Sequence, residues 1–186
     1  LGYADLSFLP QSPDDVQTPH IDQLAERGTY FSNAYATAPI CNPSRAGLIT
    51  GRQQQRWGTY WYGSPGLPED EITIPQVFRS MGYITKKIGK THMGRGSVRH
   101  PLDHGFDEFL GFEASTWDYT RLSQLDVTAY QDRTGGRGIG MLHVGPMQRN
   151  RGEIVNYENG YTSDIFGDKA IELIQRDRQG MPFYIQ

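Results

Sequence analysis

The sequence predicts an α/β fold with a largely parallel central sheet, and three observations carry that expectation. Helix signals alternate with short apolar strands in three successive segments, the pattern that brings strands side by side with helices packed on the sheet. A chain of 186 residues, 37% hydrophobic and 12% aromatic, has enough apolar surface for a packed core. The formal net charge is only −3, too small to hold the chain expanded or to make it a general nucleic-acid binder.

Thr18 and Pro19 open the first helix, with Thr18 as N-cap, Ile21, Leu24 and Ala25 at helical spacing, and Gly28 as the stop. Thr29 to Tyr35 alternates and is aromatic-rich, so a strand is expected there. Ser44 to Thr50 reads as a short helix ended by Gly51, which places Cys41 in the turn before it. In the second segment Thr73 caps a helix with Ile74, Val77, Phe78 and Met81 on one face, Gly82 stops it, and Tyr83 to Ile88 forms a strand. In the third, Thr162 or Ser163 caps a helix whose apolar face is Phe166, Ala170, Ile171 and Ile174, and Pro182 to Gln186 is expected as a buried strand.

Residues 117–159 break the rhythm and are expected to form a long surface excursion. The stretch Thr134-Gly135-Gly136-Arg137-Gly138 within it lacks both the leading strand and the closing Lys-Ser/Thr of a phosphate loop, so it reads as a flexible loop. No apolar run reaches the length of a membrane span, and Leu1–Pro10 has no signal-peptide organisation. The chain starts at Leu1 and ends in a strand-like run, so it reads as a segment truncated at both ends. The lone cysteine excludes an internal disulfide.

That cysteine stands in Cys41-Asn42-Pro43-Ser44-Arg45-Ala46-Gly47-Leu48-Ile49-Thr50-Gly51-Arg52. A side chain between a strand end and a helix start lies at the carboxyl edge of an α/β sheet, beside helix N–H groups that favour an anion. Arg45, one turn on, adds a fork of donors suited to a tetrahedral oxyanion.

The segment resembles the signature of the type I sulfatases, Cys-x-Pro-Ser-Arg followed by Thr-Gly-Arg, at every fixed position: Cys41, Pro43, Ser44, Arg45, Thr50, Gly51 and Arg52. The stretches Thr18–Ala25 and Phe31–Tyr35 are similar to the family's segment before the cysteine. Gly82-Tyr83-x-Thr85, then Gly89-Lys90-x-His92, is similar to its second signature, and Gly105–Phe109 and Pro182–Tyr184 also match. Thr91 stands where the family usually has Trp, and Met93 where it usually has Leu.

The resemblance implies an alkaline-phosphatase-like sandwich, here the partial catalytic domain over residues 1–186, and hydrolysis of sulfate esters. It implies that a maturase converts Cys41 to formylglycine, whose hydrated form attacks sulfur through one hydroxyl and expels sulfate as the other loses its proton. Lys90 would neutralise developing charge, His92 would hydrogen-bond the diol or assist proton transfer, and Arg45 would hold the formylglycine. It further implies a divalent cation, usually calcium, contacted by Cys41 as formylglycine, with carboxylate ligands outside this chain. Asp14-Asp15 reads as a turn and not as a substitute. Ser115 and Asp118 fall where some family members place substrate contacts.

Lys86, Lys87, Arg95 and Arg99 read as a solvated basic turn, with the basic residues from Lys86 to His100 available to attract a polyanion. Trp57, Tyr60, Trp61 and Tyr62 lack helical spacing; Trp57 and Trp61 are candidates for stacking on sugar rings, with packing as the alternative. A sulfated carbohydrate is therefore the expected substrate. Phosphate or phosphonate ester hydrolysis and a non-catalytic fragment are the competing functions. The resemblance also implies a periplasmic, secreted or lysosomal setting.

Overall fold

The computed structural model describes residues 2–61, 66–93, 100–113, 147–151, 153–155, 160–176 and 179–186. Two compact units are present, residues 1–35 and 36–186.

In the first unit, helix α1 (Pro19–Arg27) starts after Thr18 with Pro at its first position and stops at Gly28. The Thr18 hydroxyl does not cap an amide of the helix, because it donates to Asp22 Oδ1 at 2.7 Å and accepts from the Ser7 amide at 2.9 Å. Phe8 and Tyr30 meet edge to face with ring centroids 5.4 Å apart. The strand expected over residues 29–35 is absent: the stretch is irregular, and Tyr30, Phe31 and Tyr35 are exposed. Alternation is a strand signal only where a neighbouring strand completes the ladder, and no described residue supplies one here.

The second unit is built on a five-stranded sheet of order β4-β3-β2-β1-β5. Strand β1 (Ile84–Lys90) runs parallel to β2 (Glu108–Phe112) and to β5 (Phe183–Ile185). Strands β3 (Gln148–Arg149) and β4 (Glu153–Ile154) continue antiparallel from β2. The sheet is thus parallel at its centre with an antiparallel hairpin on one edge. The hairpin falls within the expected 117–159 excursion, and Met147 beside it is fully buried; residues 114–146, with Ser115, Asp118 and the Gly-rich stretch, lie outside the described residues.

Helices α2 (Cys41–Thr50) and α3 (Ile74–Ser80) belong to one face. There Ile49, Leu67, Met93 and Phe106 form a core joined by Trp57, Leu102 and Tyr184, and Phe78 of α3 stacks on Tyr184 at 4.9 Å. Helix α4 (Thr162–Gln175) covers the other face, where Leu110, Phe112 and Met147 pack with Ile165 and Phe166. Tyr161, not Thr162 or Ser163, is the α4 N-cap. The buried side of α4 runs through Ile165, Phe166 and Leu173, whereas Ile171 and Ile174 are exposed, one step round from the expected face. β5 is partly exposed rather than buried, because only β1 pairs with it among the described residues.

Short polar residues fix where β1 and β2 begin. Thr73 and Gln76 make a reciprocal capping box on α3, and the Thr73 hydroxyl also donates to the His104 carbonyl at 2.6 Å. Asp107 Oδ2 accepts from the Thr85 amide at 2.9 Å and from its hydroxyl at 3.0 Å. The Gly105–Phe109 segment is therefore structural: Asp107 aligns the two strand starts, and Arg79 from α3 reaches its other oxygen at 3.3 Å.

Candidate functional site

Cys41 is the first residue of α2 rather than a turn residue before it; Ile40 is the N-cap, and its carbonyl accepts from the Ser44 amide at 3.1 Å. The helix starts three residues earlier than Ser44 because Pro43 is compatible with a first turn, where its missing N–H has no intrahelical partner to lose. Cys41 is thereby held at a helix N-terminus and is partly exposed. Gly51, in the left-handed region at φ 64°, closes the helix.

Arg45, one turn into α2, crosses to the end of β1 and donates from Nη1 to the Lys90 carbonyl at 2.9 Å. The Lys90 ammonium hydrogen-bonds the Cys41 side chain. Burial lowers the Lys90 pKa, the Cys41 charge and hydrogen bond oppose that shift, and the Arg45 charge adds to it. Burial likewise lowers Arg45, with Cys41 acting the other way. Cys41, Arg45 and Lys90 thus form one contact group from two distant stretches of chain.

A strict period of two would put Lys87 and Lys90 on opposite faces of the sheet. Gly89 breaks it. Its φ of 84° turns the backbone so that a Cβ there would approach Phe166 of α4 at 3.8 Å, and Lys90 comes round to the α2 side. Both lysines consequently feel the Arg45 charge.

His92 lies two residues beyond Lys90 with φ 50°, a left-handed conformation uncommon for a side chain with a Cβ. Its amide donates to the Glu113 carbonyl at 2.9 Å, and the Thr91 amide to Phe112 at 3.0 Å, so the strand end is laced to β2. Thr91 is buried with its hydroxyl on the Glu113 carbonyl at 3.0 Å, and Met93 fills the core beside Ile49 and Phe106.

Lys86, Lys87 and His100 are not solvated. Lys86 and Lys87 are each 7% exposed and His100 is 3% exposed. Lys86 pairs with Glu108 on the α4 side. His100 accepts from the Leu102 amide at Nδ1, 3.2 Å, and its Nε2 faces the Asn150 carbonyl at 3.0 Å, which makes it a buried connector. Arg95 and Arg99 lie outside the described residues. Lys87 is the functional candidate that sequence reasoning missed, since a charged run in a strand looks the same whether it is solvated or buried.

Among the aromatics, Trp57 packs on the Ile49 core and carries the Arg52 guanidinium 5.9 Å above its ring, while Arg52 is held by Glu71 at 2.6 and 2.8 Å. Tyr60 and Trp61 are exposed, and Tyr62 lies outside the described residues. No three His, Cys, Asp or Glu side chains group to hold a metal among the described residues. The described residues alone do not fit the family's cation. No helix among the described residues is long and apolar enough to cross a membrane.

The model of the family described as Sulfatase matches residues 1–186. Curated relatives include human N-acetylgalactosamine-6-sulfatase, 29% identical over 100% of this chain and 36% of that protein. Human arylsulfatase D is 45% identical over 60% of this chain and 21% of its own length. Mouse steryl-sulfatase is 42% identical over 60% of this chain and 20% of its own length. Among solved structures, Ps i-CgsB in complex with k-i-k-neocarrahexaose is 32% identical with a TM-score of 0.81, covering 100% of this chain and 41% of that one. Another, in complex with its substrate D-glucosamine-2-N,6-O-disulfate, is 25% identical with a TM-score of 0.68, covering 98% of this chain and 31% of that one. The chain spans between a fifth and about a third of the length of these curated relatives.

Proposed function

The chain belongs to the sulfatase family, and from that premise we propose that it carries the nucleophile end of a sulfate-ester hydrolase. The observation that carries this reading is the Lys90 hydrogen bond to Cys41, with Arg45 gripping the Lys90 carbonyl at 2.9 Å. A sulfate ester develops negative charge on its oxygens and leaving group as the S–O bond breaks, and fixed donors in a partly buried site stabilise that charge without reorganising. Lys90 supplies a mobile ammonium donor at the reacting atom. Arg45 fixes the backbone from which that ammonium projects, and the α2 N-terminus adds amide donors on the same side.

In this reading Cys41 acts after a maturase has converted it to formylglycine, which supplies a hydrated aldehyde as nucleophile and a built-in route for releasing sulfate. His92, at the same strand end, is the proposed proton-transfer or diol-orienting group. The family's divalent cation, calcium in the usual case, belongs to this proposal with its carboxylate ligands on other parts of the protein. A sulfated carbohydrate is the proposed substrate: two structural relatives were solved with carbohydrate ligands, and Trp61 and Tyr60 offer exposed aromatic faces. Ser115 and Asp118 remain proposed substrate contacts. Trp57 does not, since its ring is engaged in the core.

The test is the full-length protein, co-expressed with a formylglycine-generating enzyme and supplied with calcium, on matched aryl sulfate and aryl phosphate esters. Peptide mass spectrometry should find the aldehyde at position 41, sulfate turnover should exceed phosphate turnover, and Cys41→Ala should abolish it. Full activity in Cys41→Ala overturns the mechanism, and preferential phosphate turnover reassigns the reaction.

A further inference from the structure

Lys87 presents a charge arrangement that the catalytic assignments leave unused. It is 7% exposed, it sits mid-strand in β1 opposite Phe109 of β2, and no carboxylate pairs with it or hydrogen-bonds it among the described residues. The charged group that faces it is Arg45, from α2. A buried ammonium facing a half-buried guanidinium is costly in a folded protein: both lose hydration and each repels the other. Burial, reinforced by Arg45, holds the Lys87 pKa down to about 8. With Lys90, Arg45 and Lys87 place three cationic side chains along α2 and the second half of β1, and among the described residues Cys41 lies against Arg45 and Lys90.

Resting on the sulfate-ester reading above, we propose that Lys87 is a positioning residue of the anion site: its buried ammonium backs the Arg45 guanidinium from β1, and the oxyanion received beside Cys41 is the counter-charge that holds this like-charged pair together. Lys87 does not touch the substrate. It acts through Arg45, pressing the guanidinium toward the Lys90 carbonyl and the anion, and it adds a long-range attraction that low-dielectric surroundings leave unscreened. Anion binding and Lys87 protonation are then reciprocally coupled: an oxyanion favours the protonated lysine, and loss of that proton weakens the oxyanion. The site would be selective for a multiply oxygenated anion over a neutral ester, because the unfilled arrangement is electrostatically strained.

The experiment uses the full-length, matured protein with inorganic sulfate as probe, in wild type, Lys87→Met and Lys87→Arg. Sulfate affinity by calorimetry, thermal midpoint with and without sulfate, and KM and kcat on an aryl sulfate are measured from about pH 7 to about pH 9. Lys87→Met should melt no lower than wild type without sulfate, because it removes a buried charge. It should bind sulfate about tenfold more weakly at neutral pH, one pKa unit of coupling, and raise KM more than it lowers kcat. Its sulfate affinity should fall less with rising pH than that of wild type; Lys90 and His92 are the other titratable groups named at this strand end, and both variants keep them. A lower melting midpoint together with unchanged sulfate affinity and pH profile would mean that Lys87 merely packs, and it overturns the proposal. Should Lys87→Met fail to fold, Lys87→Arg decides, since arginine keeps its charge throughout this range. Sulfate affinity in that variant should be flatter with pH than in wild type, and a profile identical to wild type overturns the proposal. Absence of aryl sulfate turnover in wild type sinks the hydrolase reading alone, because sulfate affinity is read independently of catalysis.

Discussion

Arg45 donates from a planar, multi-donor group to the Lys90 carbonyl at 2.9 Å and interacts electrostatically with Cys41, and a lysine offers no such fork of donors. Arg45→Lys should therefore lower kcat/KM on an aryl sulfate by about 10²-fold or more, the scale of losing one preorganised oxyanion donor, while changing the melting midpoint little. Lys87 contributes to the pH dependence of stability, in the same direction as Lys90. Its folded pKa of about 8 lies below the ordinary 10.5, so between those values the unfolded chain keeps a proton that the native state has released. Stability in sulfate-free buffer should accordingly rise with pH across that window and be lowest below it, and Lys87→Met should flatten the rise in urea-denaturation midpoints. Cys41, Arg45 and Lys90 were legible in the sequence because two short signatures name them. Lys87 was not, because burial is decided by what packs on a strand.

At the scale of elements, α2 and β1 are each placed by a few close approaches. A Cβ on Gly111 would fall 2.1 Å from the Gly89 carbonyl oxygen in the facing strand, and backbone cannot yield there as a side-chain tip can. Gly111→Ala should cost about 3 kcal/mol or more and weaken activity with it, because the Gly89 turn that aims Lys90 would have to shift; chemical denaturation and turnover together check this. Thr73→Ala removes the α3 capping box and the hydroxyl bond to His104, and should destabilise by about 1–2 kcal/mol with KM unchanged. The bounds of α1, the α2 stop at Gly51 and the α3 cap at Thr73 could be read from local residues, whereas the α2 start at Cys41 could not. The strand expected over residues 29–35 could not, since its alternation has no ladder to join.

At the scale of the molecule, the second unit is a sheet covered on one face by α2 and α3 and on the other by α4. The parallel centre puts the ends of β1 and β2 at one edge, where Lys90 meets Arg45 and Cys41, the residues proposed to handle sulfate. Substrate choice beyond the anion must come from surfaces around that edge. Trp61→Ala should raise KM for a sulfated oligosaccharide by at least about tenfold, ~1.4 kcal/mol, and change a small aryl sulfate much less. Trp57→Ala should instead lower the melting midpoint and affect both substrates alike, since that ring packs against the core cluster of Ile49, Leu67, Met93 and Phe106.

By itself, the sequence determined the α/β class, the helix boundaries marked by Pro19, Gly28, Gly51 and Thr73, and the family to which the two signatures point, because each rests on local chemistry or on fixed spacing. The tertiary structure decided that Lys86 and His100 are buried connectors, that Trp57 belongs to the core, and that Lys87 and Lys90 share a face. That last outcome depends on one left-handed glycine, Gly89, and on which helix covers each side of the strand. Neither is written in any local pattern, since burial and charge balance are properties of surfaces brought together only when distant segments pack.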